Sequence, residues 1–290
     1  MNARVLLHMK RTIVLIAPSK VLFATPLIAV VLLGALTAKA QQSPDPRIAD
    51  LVASGKVRVG VGLGSPPVAI KDPVTGELRG PAWDVARALA ARVGVALLPV
   101  EYPRPGAVME GAQANAWDVA LLGIDPSRAA QVDFSPPYIQ YDLTYMVAAG
   151  SSIRNVADVD QTGVRIAVPR GDISDLRLSR MLKRAELVRA NSIPAMFDLL
   201  RTGHAELCAG TRPGLLEESA RLPDFRVLDD HFGVILVAMV VPKGHAGHLA
   251  YISDFIDQAK ASGLVQQAIE RSGLRGVQVV APTGNSGTQK

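Results

Sequence analysis

The sequence predicts an α/β protein of two lobes, in which parallel-rich sheets are flanked by helices and two strands form a hinge. Strand patterns alternate with helical patterns in two successive rounds, and such alternation predicts parallel sheets. Two long extended runs, near 144–150 and 234–242, flank the second round. The simplest topology therefore makes residues 151–233 an inserted lobe 2, and divides lobe 1 between 55–146 and 238–280.

The elements of lobe 1 follow from the spacing of apolar residues. The segment "KVRVGVGL" alternates apolar residues with polar residues or glycine, which predicts a strand, and "DVALLG" is apolar throughout, as in a strand covered on both faces. The segment "PAWDVARALAARVG" has helical spacing and ends in glycine. The predicted order is helix 48–54, strand 56–63, loop 64–80, helix 81–94, strand 95–102, helix 107–117 and strand 118–123.

Lobe 2 repeats this alternation, and the chain then returns to lobe 1. The predicted order is strand 163–168, helix 172–185, strand 186–190, helix 192–203, strand 204–210, helix 213–221 and strand 225–230, followed by an extended run at 233–244 and two helical pieces, broken near Gly263, over 248–273. The last residues, 281–290, are polar and are predicted to be a disordered tail.

Residues 1–40 are predicted to be a signal peptide. The segment "MKRT" at 9–12 is basic, an apolar run spans 21–36, and "AKA" stands at 38–40. This is the layout of a secretory signal with an A-x-A cleavage site. The apolar run is short for a spanning helix, although a retained anchor is the alternative. No cysteine lies near the cleavage site, so we expect no lipid anchor.

The charge of the mature chain argues against one class of partner. Five of the 31 basic residues and none of the 26 acidic residues lie in 1–40, so residues 41–290 have a formal net charge of zero. The basic isoelectric point comes from the predicted signal peptide, and we predict no nucleic-acid partner.

Cys208 is the one cysteine of the sequence, and its apolar surroundings predict a buried thiol. His245 and His248 are three residues apart but have no carboxylate or cysteine nearby in a metal-ligating spacing, so we predict no metal or other cofactor.

Three stretches resemble one family of proteins. The stretch "GELRGPAWDVARALAARVGV" resembles "G…GFDVDLAKAIAKELGV", "AWDVALLGIDPSRAAQVDFSPPY" resembles "YDAIISGMTITPERAKVVDFSDPY", and "LLRTGHAELCAGTR" resembles "LLSGKVDAVVADAP". These are patterns of the periplasmic amino-acid-type solute-binding proteins of ABC importers, family 3. The resemblance covers about residues 55–280, and the chain resembles a divergent member.

The resemblance implies a fold and a function. The fold is the type II periplasmic binding protein fold, whose two lobes close on a small solute and present it to a membrane permease. We therefore expect a periplasmic monomer that captures a carboxylate-bearing solute, an amino acid or an organic acid, without catalysis. The alternative is a periplasmic enzyme on the same fold, resembling the cyclohexadienyl or prephenate dehydratases. Such an enzyme needs a carboxylic acid placed to protonate a leaving hydroxyl.

Arg128 is the strongest candidate for a ligand contact. In the family, the arginine of the "TPER" turn binds the carboxylate of the ligand, and Arg128 stands in the similar turn "DPSR". A planar guanidinium matches a carboxylate and stays charged. The competing interpretation is a structural ion pair with Asp125 or Asp133. Gly123, at the end of the preceding strand, is expected to offer a backbone donor.

The chain departs from the family pattern in the residues around this arginine. The loop before Arg128 is two residues shorter, and Asp125 stands where a threonine is common, so Asp125 either binds a cationic group or orients Arg128. The aspartate that holds the α-ammonium group in the amino-acid binders is replaced by Thr211, with Arg212 next, and both are expected to contribute from lobe 2. An unpaired ammonium in a closed cleft is costly. Either Asp125 or Asp172 therefore replaces that aspartate, or the solute has no α-amino group.

Two more segments complete the predicted site. Gly171, Asp172 and Ile173 lie where the family presents a helix N-terminus to the carboxylate, so their backbone N–H groups are candidate donors. Asp172 is either the N-cap of that helix or a ligand contact. Val68 stands where the family often has an aromatic residue, so one stacking wall is lost.

Overall fold

The structure, a computed structural model, describes residues 44–281. The predicted signal peptide lies outside the described residues, as does the predicted tail after its first residue. Among the described residues, no helix combines the length and the hydropathy that a membrane span requires.

Thirteen strands and eight α-helices lie in residues 44–281. The strands are β1 (Lys56–Gly62), β2 (Ile70–Lys71), β3 (Leu78–Arg79), β4 (Ala96–Tyr102), β5 (Val119–Gly123), β6 (Val132–Phe134), β7 (Ile139–Ala148), β8 (Arg165–Pro169), β9 (Glu186–Ala190), β10 (Leu207–Thr211), β11 (Phe225–Val227), β12 (Gly233–Pro242) and β13 (Val277–Val279). The helices are α1 (Ala49–Ser54), α2 (Pro81–Val93), α3 (Val108–Gln113), α4 (Ile173–Met181), α5 (Ile193–Arg201), α6 (Arg212–Ser219), α7 (Ala246–Ala261) and α8 (Leu264–Ser272). Short 3-10 turns lie at Pro46–Ile48, Pro105–Ala107 and Val156–Asp158.

Two groups of parallel strands are joined by two long antiparallel strands. The order along the sheet is β4-β1-β5-β12-β7-β10-β8-β9. We call β4-β1-β5 the first half-sheet and β10-β8-β9 the second half-sheet, and both are parallel within themselves. Residues 139–143 of β7 face residues 233–237 of β12, and beyond this pair β12 continues along β5 while β7 continues along β10. This is the predicted α/β architecture with a two-strand hinge.

The helix ends show which sequence signals were sufficient. Gly94 ends α2 with φ 78°, a left-handed conformation that glycine adopts without strain. The hydroxyl of Ser192 accepts a hydrogen bond from the Ala195 N–H and starts α5. Helix α4 was predicted to run to residue 185 but ends at Met181. The reason is the carboxylate of Asp160, which accepts hydrogen bonds from the three N–H groups of residues 183–185.

Three short features were not predicted. The segment 64–80, expected to be a loop, contains the hairpin β2–β3, which has two residues in each strand. Strands β6 and β13 have three residues each and pair with the long strands β12 and β7. Strands this short depend on a partner for their conformation, so they leave no alternating pattern of their own.

The apolar core is continuous through both half-sheets. Its buried residues include Val59 and Leu121 from the first half-sheet, Ile166 from the second, and Leu143 and Val237 from the two long strands. A smaller cluster beneath α5 and α6 holds Cys208, which is buried as predicted. Burial raises the pKa of this thiol, so it stays protonated.

Candidate functional site

The predicted site lies where the loops after β1, β5, β8 and β10 meet. All four loops leave the carboxyl ends of parallel strands, the usual position for ligand sites in such sheets. A cavity of about 20 Å³ lies at this point and is lined by Ser65, Val68, Pro105, Leu121, Leu122, Gly123, Arg128, Tyr141, Asp172, Ile173, Thr211 and Ile235. A volume of this size holds about one water molecule. The walls must therefore separate before a small organic solute can enter.

Arg128 bridges the two half-sheets at this cavity. Its side chain is buried, with Nη1 donating to the carbonyl oxygen of Gly123 at 2.8 Å and Nη2 to that of Gly171 at 2.9 Å. Burial lowers the pKa of Arg128, and the nearby carboxylates of Asp172 and Asp125 oppose that effect. Within the described part of the chain Arg128 has no carboxylate at ion-pairing distance. Its hydrogen-bond acceptors there are the neutral carbonyl groups of Gly123 and Gly171.

Asp125 and Asp133, the two carboxylates considered as partners of Arg128, pair with other cations. Oδ2 of Asp125 lies 2.7 Å from Nη2 of Arg180, and Asp133 pairs with Lys243. Burial alone would raise the pKa of Asp125, but hydrogen bonds from Arg180 and Ser127 lower it to about 2. Asp125 is therefore ionised and already neutralised. Its expected contact with a cationic group of the solute stays a prediction, and that contact would require Arg180 to leave.

The N-terminus of α4 is occupied by its own carboxylates. The Gly171 N–H donates to Oδ2 of Asp175 at 2.8 Å, and the Ile173 N–H donates to Oδ1 of Asp172. Asp172 is thus the N-cap of α4, one of its two predicted roles, and its side chain also lines the cavity. The backbone donors expected from Gly171 and Ile173 are engaged within the helix start.

The Asp172 carboxyl is the second charged group of the cavity. It is 6% exposed. Burial raises its pKa, and the nearby Arg128 guanidinium opposes that rise. One buried cation and one buried carboxyl therefore line the same small space. Arg128 and Asp172 do not form an ion pair, because no guanidinium nitrogen of Arg128 lies within 4.0 Å of a carboxylate oxygen of Asp172.

Thr211 and Arg212 have different positions. The Thr211 hydroxyl accepts from the Gly214 N–H at 3.3 Å as the N-cap of α6, and Thr211 lines the cavity. The structure does not bring Arg212 to the site. Its guanidinium donates to the carbonyl oxygens of residues 228–230 and approaches Asp142 at 3.3 Å. Arg212 therefore fixes the segment that leads into β12.

Val68 lies in the cavity wall, and so do Ser65 and Tyr141, which were not among the predicted residues. Ser65 and Tyr141 are both buried there. Ser65 lies three residues after the end of β1, and the end of a parallel strand is a signal that points to such a residue. Tyr141 lies in β7, where the face that a side chain takes depends on the register with β12, and the sequence does not specify that register.

A larger cavity of about 570 Å³ adjoins the small one and shares Asp172 and Thr211 with it. It lies between the β2–β3 hairpin on one side and α5 and α6 on the other. Its apolar lining includes Pro66, Ile70, Ile193 and Phe197, and its charged lining includes Lys71, Arg79, Asp198, Arg201, Glu217, Glu218 and Arg221. This volume is within the usual range for a small-molecule site. No group of three or more potential metal ligands occurs in residues 44–281.

Known proteins are similar to this chain in sequence. The sequence model of "Bacterial extracellular solute-binding proteins, family 3" matches residues 57–273. A glutamine-binding protein of Geobacillus stearothermophilus is 24% identical over 182 residues, which are 61% of this chain and 69% of the relative. The ABC transporter glutamine-binding protein GlnH of Bacillus subtilis (strain 168) is 20% identical over 248 residues, which are 82% of this chain and 90% of the relative.

A solved structure supports the fold. The ancestral amino acid-binding protein AncCDT-1, described as a precursor of cyclohexadienyl dehydratase, superposes with a TM-score of 0.68 at 24% identity. The match covers 77% of this chain and 98% of that one. The predicted two-lobed α/β fold is confirmed.

Proposed function

The chain belongs to family 3 of the bacterial extracellular solute-binding proteins, and from this premise we propose that it captures a small carboxylate-bearing solute by closure of its two lobes. Lobe 1 comprises residues 55–146 and 238–280, lobe 2 comprises residues 151–233, and β7 and β12 are the hinge. We place the protein in the periplasm as a monomer that passes its solute to the permease of an ABC importer. The glutamine-binding relatives support an amino-acid-like solute.

The observation that carries the proposal is the environment of Arg128. A buried guanidinium with neutral acceptors is incompletely compensated, because removing its charge from water costs several kcal/mol. A carboxylate that enters beside Arg128 supplies the missing charge and accepts two parallel hydrogen bonds. In this proposal the solute replaces the Gly171 carbonyl as a partner of Arg128. The lobes then close again around the solute.

Asp172 favours an amino acid over a dicarboxylic acid. Its carboxyl lines the cavity beside Arg128 and Thr211, so a solute bound to Arg128 lies close to it. An ammonium group compensates this buried carboxylate, whereas a second carboxylate on the solute meets it as a like charge. In this proposal Asp172 therefore takes the role of the family's aspartate, which is replaced by Thr211 in this chain. The solute side chain then extends into the larger cavity.

A thermal-shift screen followed by calorimetry tests this function. The purified mature protein is screened against amino acids, monocarboxylates, dicarboxylates and aromatic acids, and the best solute is titrated into wild type and Asp172→Asn. We expect an amino acid to raise the melting temperature, and Asp172→Asn to weaken amino-acid binding more than binding of the matched acid without the amino group. A preference for dicarboxylates contradicts the assignment of Asp172. Failure of every carboxylate contradicts the proposed function.

The dehydratase activity is a second candidate, and one observation favours it. Burial raises the pKa of the Asp172 carboxyl, although the nearby Arg128 guanidinium opposes that rise, and a raised pKa is the direction that suits a general acid. The structural similarity to AncCDT-1 shows the fold alone. Incubation of the purified protein with prephenate decides between the two candidates. Turnover that disappears in Asp172→Asn supports the enzyme, and a thermal shift without turnover supports the binding protein.

A further inference from the structure

We propose that the ion pair between Asp125 and Arg180 is a latch that stabilises the closed arrangement of the two lobes and raises the ratio of closed to open molecules even without a solute. The proposal takes one element from the proposed function, the closure of lobe 2 against lobe 1. It does not depend on which solute is bound.

The Asp125 carboxylate is held in position by its own loop. Its side chain is 4% exposed, and Oδ1 accepts hydrogen bonds from the backbone N–H of Ser127 at 2.9 Å and from its hydroxyl at 2.6 Å. The neighbouring turn is closed by the Arg128 N–H, which donates to the Asp125 carbonyl oxygen at 3.0 Å. These contacts are all within residues 125–128. The carboxylate is therefore pre-positioned whether or not lobe 2 is near.

Arg180 reaches this carboxylate from the other lobe. It lies in the last turn of α4, which packs on the second half-sheet, whereas Asp125 follows β5 of the first half-sheet. Nη2 of Arg180 lies 2.7 Å from Oδ2 of Asp125, and Nη1 lies 3.4 Å from Oδ1. The Arg180 side chain is 53% exposed, and among the described residues its ion-pair partner is Asp125. Opening of the cleft breaks this pair and leaves both groups to water.

A second contact crosses at the same place. The hydrogen bond from Nη2 of Arg128 to the Gly171 carbonyl joins the same loop of lobe 1 to the residue that precedes the N-cap of α4. In the proposed function a solute carboxylate displaces this bond. The Asp125–Arg180 pair does not involve Arg128 and can persist, so the latch and the solute anchor are separable.

Other ion pairs in the chain serve as the comparison. Arg165 and Glu206 form a pair at 2.6 Å, and both residues belong to lobe 2. Both side chains are 40% exposed. Opening of the cleft leaves this pair intact, so Arg165→Gln removes an ion pair of similar chemistry without affecting closure.

The test measures closure in the ligand-free protein. Spin labels are attached at Ala91→Cys in α2 and Arg184→Cys after α4, both exposed positions, while the native Cys208 is buried and inaccessible. Distance distributions are recorded for the labelled protein and for the same protein with Arg180→Gln, Asp125→Asn, Arg180→Lys or Arg165→Gln. Circular dichroism confirms that each variant is folded.

We expect a closed population in the labelled wild type. Arg180→Gln and Asp125→Asn should lower the ratio of closed to open molecules roughly three- to fivefold, the range for a partly exposed ion pair. Arg180→Lys should restore part of the ratio, and Arg165→Gln should leave it unchanged. The proposal is overturned if wild type shows the open distance alone, or if Arg180→Gln has the wild-type distribution. Since no solute is added, these outcomes do not depend on whether the solute assignment is correct.

Discussion

Gly106 is the position where one methyl group should hold the cleft open. It lies in the 3-10 turn before α3, in lobe 1, directly against the backbone at residues 170–171 of lobe 2. A Cβ built on Gly106 lies 2.5 Å from the carbonyl oxygen of Arg170 and 2.7 Å from the carbonyl carbon of Gly171. Gly106 does not have a positive φ. Gly106→Ala therefore perturbs the contact between the lobes without straining its own backbone.

The magnitude follows from these distances. The clashing atoms belong to the backbone and cannot rotate away, so the two lobes must separate locally by about 1 Å to restore van der Waals contact. Overpacking of this kind costs roughly 1–3 kcal/mol. The closed form alone carries this cost, because the contact is absent when the lobes part. Gly106→Ala should therefore lower the ratio of closed to open molecules roughly 5- to 150-fold, and weaken solute binding, which requires closure, by up to the same factor.

Isothermal titration with the solute found by thermal shift measures the effect. Gly123→Ala should be milder, because the nearest atom to its Cβ, at 2.8 Å, belongs to the side chain of Ile173 and not to backbone. Gly150→Ala is the control, since nothing lies within 4 Å of its Cβ. Wild-type affinity in Gly106→Ala would refute the view that lobe closure at this contact is needed for binding.

Three further outcomes are expected. Burial opposes the ionisation of Asp125, but with Arg180 in place its pKa is about 2, below the ordinary value of 3.8. The stabilisation of the closed form by the latch is therefore complete above pH 3.8 and is lost as the pH falls through 2. Spin-label distances should shift towards the open form between pH 4 and pH 2 in wild type but not in Arg180→Gln, and equal responses would contradict this. Trp117→Phe removes the buried hydrogen bond from Nε1 to the Val108 carbonyl, which is 3.0 Å long. Thermal unfolding should therefore show a free energy of unfolding lower by about 1–3 kcal/mol, and an unchanged melting temperature would count against this. Cys208, buried with a raised pKa, should resist alkylation at pH 8 until denaturant is added, and rapid native labelling would show that it is accessible.

Local sequence signals predicted most of the fold. Period-two and continuous apolar runs placed β1 and β5, because most residues of these two strands are buried and buried positions favour apolar side chains. The glycine after α2 marked the end of that helix. The miss at the end of α4 has a non-local cause: Asp160, more than twenty residues upstream, accepts the N–H groups that would continue the helix.

At the candidate site too, local contacts could be predicted from the sequence and contacts with distant residues could not. The N-cap role of Asp172 is set by the adjacent Ile173 N–H, and the sequence included it among two alternatives. The partner of Asp125 is Arg180, which lies 55 residues away, and no local pattern indicates that pairing. Arg212 was expected in the cleft because it is next to Thr211, which stands at the position of the family's ammonium-binding aspartate, but its guanidinium donates to carbonyl oxygens of a distant segment. The destination of a long side chain depends on tertiary packing, which spacing along the chain does not encode.

The most direct test of the account is calorimetry of Arg128→Gln with the solute identified for wild type. Glutamine keeps hydrogen-bonding capacity but removes the charge and the fork that match a carboxylate. We expect the free energy of binding to become less favourable by about 2–5 kcal/mol, the range for truncating one partner of a buried charged contact. The circular dichroism spectrum should be unchanged. The control is Arg165→Gln, which should bind as wild type does. Equal affinities in Arg128→Gln and wild type would contradict the central claim that Arg128 anchors the carboxylate.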